Sequence, residues 1–189
     1  MRLYMIRHGE SEANATRSHA GWAQIPLTEK GREDAKRAVR ALAGISFDKV
    51  YTSDLLRAIQ TKELVLPGAP FEQTALLREI DVGTLAGKTL SECEIALGEE
   101  YITRRAEKSF TAYGGEDHVD HRTRAAAFLK RLEAENYTRV AAFCHEGTML
   151  RVLEIVSGAQ EVLRRPCANG GVCIFEYQGG QWSLLEWDV

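Results

Sequence analysis

The 189-residue chain has no long apolar run; none exceeds five residues, the length of Val140 to Cys144. A bilayer-crossing helix needs roughly 20 apolar residues, so no membrane span is expected. Nor does the chain open like a signal peptide. Only four apolar residues separate Met1-Arg2 from Arg7-His8, which reads as a strand, and the expected location is the cytoplasm. The four cysteines, Cys93, Cys144, Cys167 and Cys173, lack any C-x-x-C spacing, which argues against a disulfide scaffold and for reduced thiols filling small apolar volumes. Charge of one sign is missing too. With 24 Lys plus Arg against 27 Asp plus Glu, the net charge of −3 provides no whole-molecule attraction to nucleic acid or anionic membrane. Any anion must therefore be held locally.

What is present is the balance of an ordinary globular protein, 44% hydrophobic and 27% charged. A chain of this size buries close to 70% of its unfolded surface and needs neither disulfides nor structural metal to fold. Residues 1–189 are read as a single domain. Short apolar runs alternate with segments of helical period, the pattern of an α/β sheet. Leu3 to Arg7 is the first strand, and a second is centred on Lys49-Val50-Tyr51. Between them Ala35, Ala38, Val39 and Leu42 repeat at helical spacing, with Thr28 as N-cap and Gly44 past the end. Asp54 to Leu66 reads as a helix stopped by Pro67-Gly68. Thr89-Leu90-Ser91-Glu92 fits a capping box opening a helical region that runs, with a break at Gly98, towards Lys108.

Ala125, Phe128, Leu129 and Leu132 mark a further helix, and Val140 to Cys144 reads as a buried central parallel strand. Thr148 to Val156 is a deeply packed helix ended by Gly158, and Val172 to Tyr177 with Trp182 to Trp187 form an edge hairpin around Gly179-Gly180. The expected fold is an open, mostly parallel α/β sheet with helices on both faces.

Ligands of such sheets sit beyond the carboxyl ends of the strands. The first strand runs into Arg7-His8-Gly9, the central one into Cys144-His145-Glu146-Gly147, and a third into Thr52-Ser53-Asp54 with Arg57 just beyond. An imidazole can act as a nucleophile, and Arg7 and Arg57 offer planar forks matched to phosphate oxygens. Gly9 is read as letting an anion approach the backbone, and Asn14 and His145 add donors. With two arginines neutralising charge, no metal and no cofactor is expected. Singly, His145 reads as well as a helix cap, and Arg57 as a surface residue.

Together these segments resemble the histidine phosphatase superfamily, also called the phosphoglycerate mutase-like family. Arg7-His8-Gly9-Glu10-Ser11-Glu12-Ala13-Asn14 is similar to its opening signature, and Ile25-Pro26-Leu27-Thr28-Glu29-Lys30-Gly31 to its P-L-T-x-x-G segment. Ser53-Asp54-Leu55-Leu56-Arg57-Ala58-Ile59-Gln60-Thr61 resembles its S-D-L-x-R-A-x-Q-T segment. Leu77 to Gly83 resembles the acid-bearing loop, Gly114-Gly115-Glu116 the G-G-E turn and Cys144 to Gly147 the second-histidine turn.

The resemblance implies a phosphoglycerate mutase-like fold, a phosphohistidine at His8, a phosphate pocket of Arg7, Asn14, Arg57 and His145, and Glu79 as proton donor. Read without it, Glu79 is a surface carboxylate paired with Arg78. The implied activity is metal-independent hydrolysis of a small phosphate monoester, with mutase-type transfer or noncatalytic phospho-ligand binding as alternatives. The implied partner is a small molecule, with neither nucleic acid nor membrane, and the oligomeric state is left open.

Two departures stand out. The family's Trp-Glu-Gly is Leu85-Ala86-Gly87 here, and the second-histidine turn, commonly H-G-G, reads His145-Glu146-Gly147, with the direction of Glu146 undecided. The region at about 84–116 is expected to cover the substrate, with Tyr101, Arg104, Arg105 and Tyr113 as candidate contacts. Asp117 to His121 offers four possible metal ligands within five residues but is read as an acidic first helical turn with exposed histidines.

Overall fold

The computed structural model describes residues 1–158 and 166–189. Six strands form one sheet: β1 Arg2–Arg7, β2 Lys49–Thr52, β3 Glu72–Gln73, β4 Arg139–Cys144, β5 Val172–Gln178 and β6 Gln181–Glu186, in spatial order β3-β2-β4-β1-β5-β6. The pairs β3·β2, β2·β4 and β4·β1 are parallel, and β1·β5 and β5·β6 antiparallel. The sheet is therefore mixed and mostly parallel, with the hairpin at one edge. Helices α1 Glu12–Ala15, α2 Glu29–Ala41, α3 Leu56–Val65, α4 Leu90–Glu107, α5 His118–Glu133 and α6 Glu146–Ser157 complete the described elements.

Alternation along the central strands sorts side chains into two layers. Leu3 and Met5 of β1, with Val140, Ala142 and Cys144 of β4, pack against Phe128, Leu129, Leu132, Val152 and Leu153 of α5 and α6. Tyr4 and Ile6, with Ala141 and Phe143, face Ala35, Ala38 and Val65 of α2 and α3. Both faces are covered, which is why the β4 sequence is apolar without interruption. A smaller cluster of Val82, Leu85, Cys93, Tyr101 and Phe110 packs the 84–116 region.

The local signals hold. Thr28 caps α2 by accepting the Gly31 N–H at 3.0 Å, and Thr89 forms its capping box with Glu92. Gly98 breaks α4 at φ 62° and ψ −150°. Two starts differ from expectation: α3 begins at Leu56 without a side-chain cap, and α6 begins at Glu146, directly after the second histidine.

Gly9 also has a different reason to be glycine. A Cβ there would lie 2.0 Å from the Gly31 carbonyl oxygen, so the missing side chain lets the β1 loop press on the start of α2. That backbone contact by itself requires glycine at this position. Among the described residues no helix is long and apolar enough to cross a membrane.

Candidate functional site

Parallel pairing brings three strand ends to one edge. Arg7 is opposite Cys144, so His8 and His145 follow at the same level, and Thr52 is opposite Phe143, which places Ser53 one residue short of them. The His8 N–H donates to the Cys144 carbonyl at 3.1 Å, and the Ser53 N–H to that of Phe143 at 2.8 Å. A cleft of about 400 Å³ opens there, lined by Arg7, His8, Asn14, Arg57 and Glu79 among others. His145 does not line it but is fully buried against His8, ring centroids 5.1 Å apart.

His8 Nδ1 lies 2.6 Å from the Gly9 carbonyl, which can only accept, so Nδ1 carries the proton and Nε2 keeps its lone pair. Burial and then the charge of Arg57 hold the His8 imidazole well below its ordinary value, opposed by the Gly9 hydrogen bond. The ring is neutral at pH 7 and its Nε2 is a competent nucleophile. His145 is also held well down, by burial and then Arg57. Its Nε2 is 2.9 Å from Ser53 Oγ; with the hydroxyl donating, Nδ1 is left as the N–H.

Arg7 Nε, Arg57 Nε and His145 Nδ1 are the buried side-chain polar atoms that find no hydrogen-bond partner among the described residues. Buried donors are ordinarily satisfied, and these three come from residues around one histidine. Arg57 is fixed in place by Nη1 and Nη2, which donate to the carbonyls of Ala23 and Gly21 at 3.1 and 2.9 Å. Its Nε is left without a partner, and burial lowers its pKa to about 10. Asn14, near the end of α1, is exposed at the cleft; its Oδ1 accepts from the N–H and hydroxyl of Ser11, so its amide NH₂ is the group left to donate.

Glu79 enters the same cleft from the loop after the 3₁₀ turn Ala75–Leu77. Its carboxylate accepts the N–H groups of Ile80 at 2.9 Å and Gly147 at 3.0 Å, and its carbonyl accepts Trp22 Nε1–H at 2.8 Å. Arg78 pairs with Asp54 instead, at 2.5 Å, so the surface pairing with Glu79 is not formed. Burial pushes the Glu79 carboxyl up, but His121, the two amide donors and Arg57 outweigh it and leave the pKa below the ordinary value. Because burial holds His121 itself at about 4, that ring is uncharged at pH 7. We therefore credit the ionised state of Glu79 chiefly to the amides and Arg57.

Several residues near the cleft escape sequence reading. His121 is 3% exposed, not a surface histidine; its Nε2 is 3.1 Å from Thr148 Oγ1 and 3.9 Å from Glu79 Oε1. Helix packing of α5 on α6 turns it inward. His118 instead contacts Glu154 at 3.0 Å. Among the described residues no group of three or more His, Cys, Asp or Glu is arranged to hold a metal ion. Of the four candidate substrate contacts, Arg105 alone lines the cleft, joined there by Leu90, Lys108 and Phe110. Tyr101 is fully buried with its hydroxyl 2.6 Å from His19 Nε2, Arg104 pairs with Glu100 at 2.9 Å, and Tyr113 packs on the small cluster. Ser53 and Thr148 had a signal only in adjacency to the motif residues; His121 had none.

The sequence profile described as "Histidine phosphatase superfamily (branch 1)" matches residues 3–189. A 2,3-bisphosphoglycerate-dependent phosphoglycerate mutase of Bradyrhizobium sp. is 33% identical over 189 residues, covering 92% of this chain and 90% of the relative. A protein of the same name from Streptococcus thermophilus is 40% identical over 109 residues, 54% of this chain and 47% of its own length. The crystal structure of alpha-ribazole phosphatase from Shigella flexneri superposes with a TM-score of 0.89 at 26% identity, covering 100% of this chain and 96% of that one. That of phosphoglycerate mutase from Bacillus anthracis gives 0.83 at 25% identity, covering 98% and 92%. With the profile matched along nearly the whole chain and the two histidines side by side at the sheet edge, the protein belongs to the histidine phosphatase superfamily.

Proposed function

We propose that this enzyme is a phosphomonoesterase that hydrolyses a small phosphorylated metabolite through a phosphohistidine on His8. The observation that carries the reading is the set of three buried nitrogens without partners, on Arg7, Arg57 and His145, gathered around a neutral His8. They are donors suited to the oxygens of one phosphoryl group, and Asn14 adds another at the rim.

In the first half-reaction His8 Nε2 attacks phosphorus while the P–O bond to the alcohol breaks and the leaving oxygen takes a proton. Glu79 supplies it. Its carboxyl is ionised in the free site, and a phosphate dianion beside it raises its pKa, so that binding brings in the proton that the leaving group needs. Such assistance is worth roughly 10²- to 10⁴-fold for a poor leaving group. In the second half-reaction water attacks the phosphohistidine, Glu79 takes the water's proton, and His8 departs neutral. His145 and the two arginines carry the developing charge.

The chain acts in this reading as one domain, with the region at about 84–116 covering the substrate through Leu90, Arg105, Lys108 and Phe110. Four free, buried cysteines support a reducing compartment such as the cytoplasm. End-to-end similarity to a phosphatase structure supports hydrolysis, whereas the streptococcal mutase is matched over 47% of its length. The Bradyrhizobium relative, similar along nearly its whole length and named a mutase, favours phosphoryl transfer as the second reading. Incubation with 3-phosphoglycerate and with a panel of phosphate monoesters separates the two. Inorganic phosphate release is expected, and 2-phosphoglycerate formed without phosphate release overturns hydrolysis.

A further inference from the structure

The turn after β4 carries a carboxylate, Glu146, where the resemblance leads one to expect glycine. Two contacts fix its direction. Glu146 Oε2 is 3.2 Å from Arg7 Nη1, and Glu146 Oε1 accepts the Cys167 N–H at 3.1 Å. Arg7 Nη1 in turn donates to the Cys167 carbonyl. The three residues close a ring: carboxylate to amide, peptide to guanidinium, guanidinium back to carboxylate. The Arg7 side chain is 14% exposed, so it has little room to leave this clamp.

A guanidinium meets a phosphoryl group best through two parallel N–H bonds. With Nη1 occupied, the side-on edge formed by Nε and Nη2 is the one left, and Nε is buried without a partner. Arg57 is anchored in a similar way, with Nη1 and Nη2 each donating to a backbone carbonyl and Nε without a partner. The clamp also divides a charge: a phosphate dianion on one edge of Arg7 and the Glu146 carboxylate on the other draw on a single cation.

We propose that Glu146 is a positioning residue that holds Arg7 by Nη1 so that its Nε–Nη2 edge meets the phosphoryl group, and that its charge weakens phosphate binding enough for the product to leave. The inference rests on the cleft being a phosphate site. A carboxylate at the first position of α6 with only the ordinary helix-start role would affect folding stability and nothing in the cleft.

Titration calorimetry with inorganic phosphate on the intact protein tests this, with far-UV circular dichroism confirming the fold of each variant. Glu146→Gln keeps the length and one acceptor oxygen, which can stay on Arg7 Nη1 at the expense of the Cys167 N–H, but removes the charge, and should bind phosphate about three- to tenfold more tightly at low salt. Glu146→Ala loses the clamp and should raise KM and lower kcat, with Gln recovering the KM and Ala not. Glu146→Asp keeps the charge at shorter reach, so it should show no tightening; this holds as a test even where the Gln variant folds poorly. Phosphate affinity in Gln equal to or weaker than in the parent, or Ala and Gln behaving alike, overturns the proposal. A parent protein that binds no phosphate overturns the reading of the cleft itself, whereas a parent that binds it beside an unchanged Gln variant defeats this inference alone.

Discussion

Glu79 Oε2 accepts the backbone N–H of Gly147 at 3.0 Å, joining the acid-bearing loop to the turn that carries the second histidine. The contact requires glycine, since a Cβ at position 147 would lie 2.0 Å from Glu79 Oε1. The clashing atom is the end of a flexible side chain, so the carboxyl can swing away at little cost to the fold. Gly147→Ala should therefore leave the melting temperature nearly unchanged while turnover of alkyl phosphates falls roughly hundredfold, the scale of a misplaced catalytic group. Thermal melts alongside initial rates measure both, and full activity in this variant contradicts the placement of Glu79.

Acid should destabilise the protein well before its carboxylates titrate. His19 and His121 are both held at about 4 by burial, against an unfolded value near 6.5. Their neutral forms fit the folded state, so their stabilising contribution is complete above pH 6.5 and is lost as pH falls towards 4, on the order of 3 kcal/mol for His121 and less for the more solvated His19. Urea unfolding at pH 7 and pH 5 should give the lower free energy at pH 5. A flat profile between those values contradicts the neutral assignment.

Which parts of this were legible in the sequence follows from the range of the interactions. The caps at Thr28 and Thr89 could be read because the acceptor and the N–H are three residues apart, and the strand ends at His8 and His145 because an apolar run stops at a polar group. The four-residue α1 and two-residue β3 are too short to show a period. The surroundings of Glu79 were not legible, because its partners Gly147 and His121 come from different helices far along the chain. The direction of Glu146 depends on Cys167, and the use of Arg57 depends on the carbonyls of Gly21 and Ala23; neither leaves a mark in spacing.

Ser53 should matter through a tautomer. Its hydroxyl at His145 Nε2 keeps the proton of that ring on Nδ1, the nitrogen without a partner. Ser53→Ala removes that preference, and kcat/KM should fall about five- to tenfold, the worth of one net hydrogen bond. Conversely, unaltered kinetics in a folded Ser53→Ala protein would mean that the tautomer is set by something else.

Glu79→Gln should discriminate between leaving groups. An alkoxide needs its proton in the transition state, whereas nitrophenolate leaves as a stabilised anion. Single-turnover phosphorylation by an alkyl phosphate should slow far more than that by p-nitrophenyl phosphate. The single-turnover format isolates the first step from hydrolysis of the adduct, which is common to all substrates. Equal losses would remove Glu79 as proton donor.

The covalent step at His8 is the centre of the account, and trapping the adduct tests it most directly. Brief incubation with a turned-over phosphate monoester, quenching in alkali and peptide mass spectrometry should find one acid-labile, alkali-stable phosphoryl group on His8. His8→Ala should form no adduct and release no phosphate. A His8→Ala protein that still turns over, or a parent protein that turns over with no phosphorylated His8 at any quench time, contradicts it.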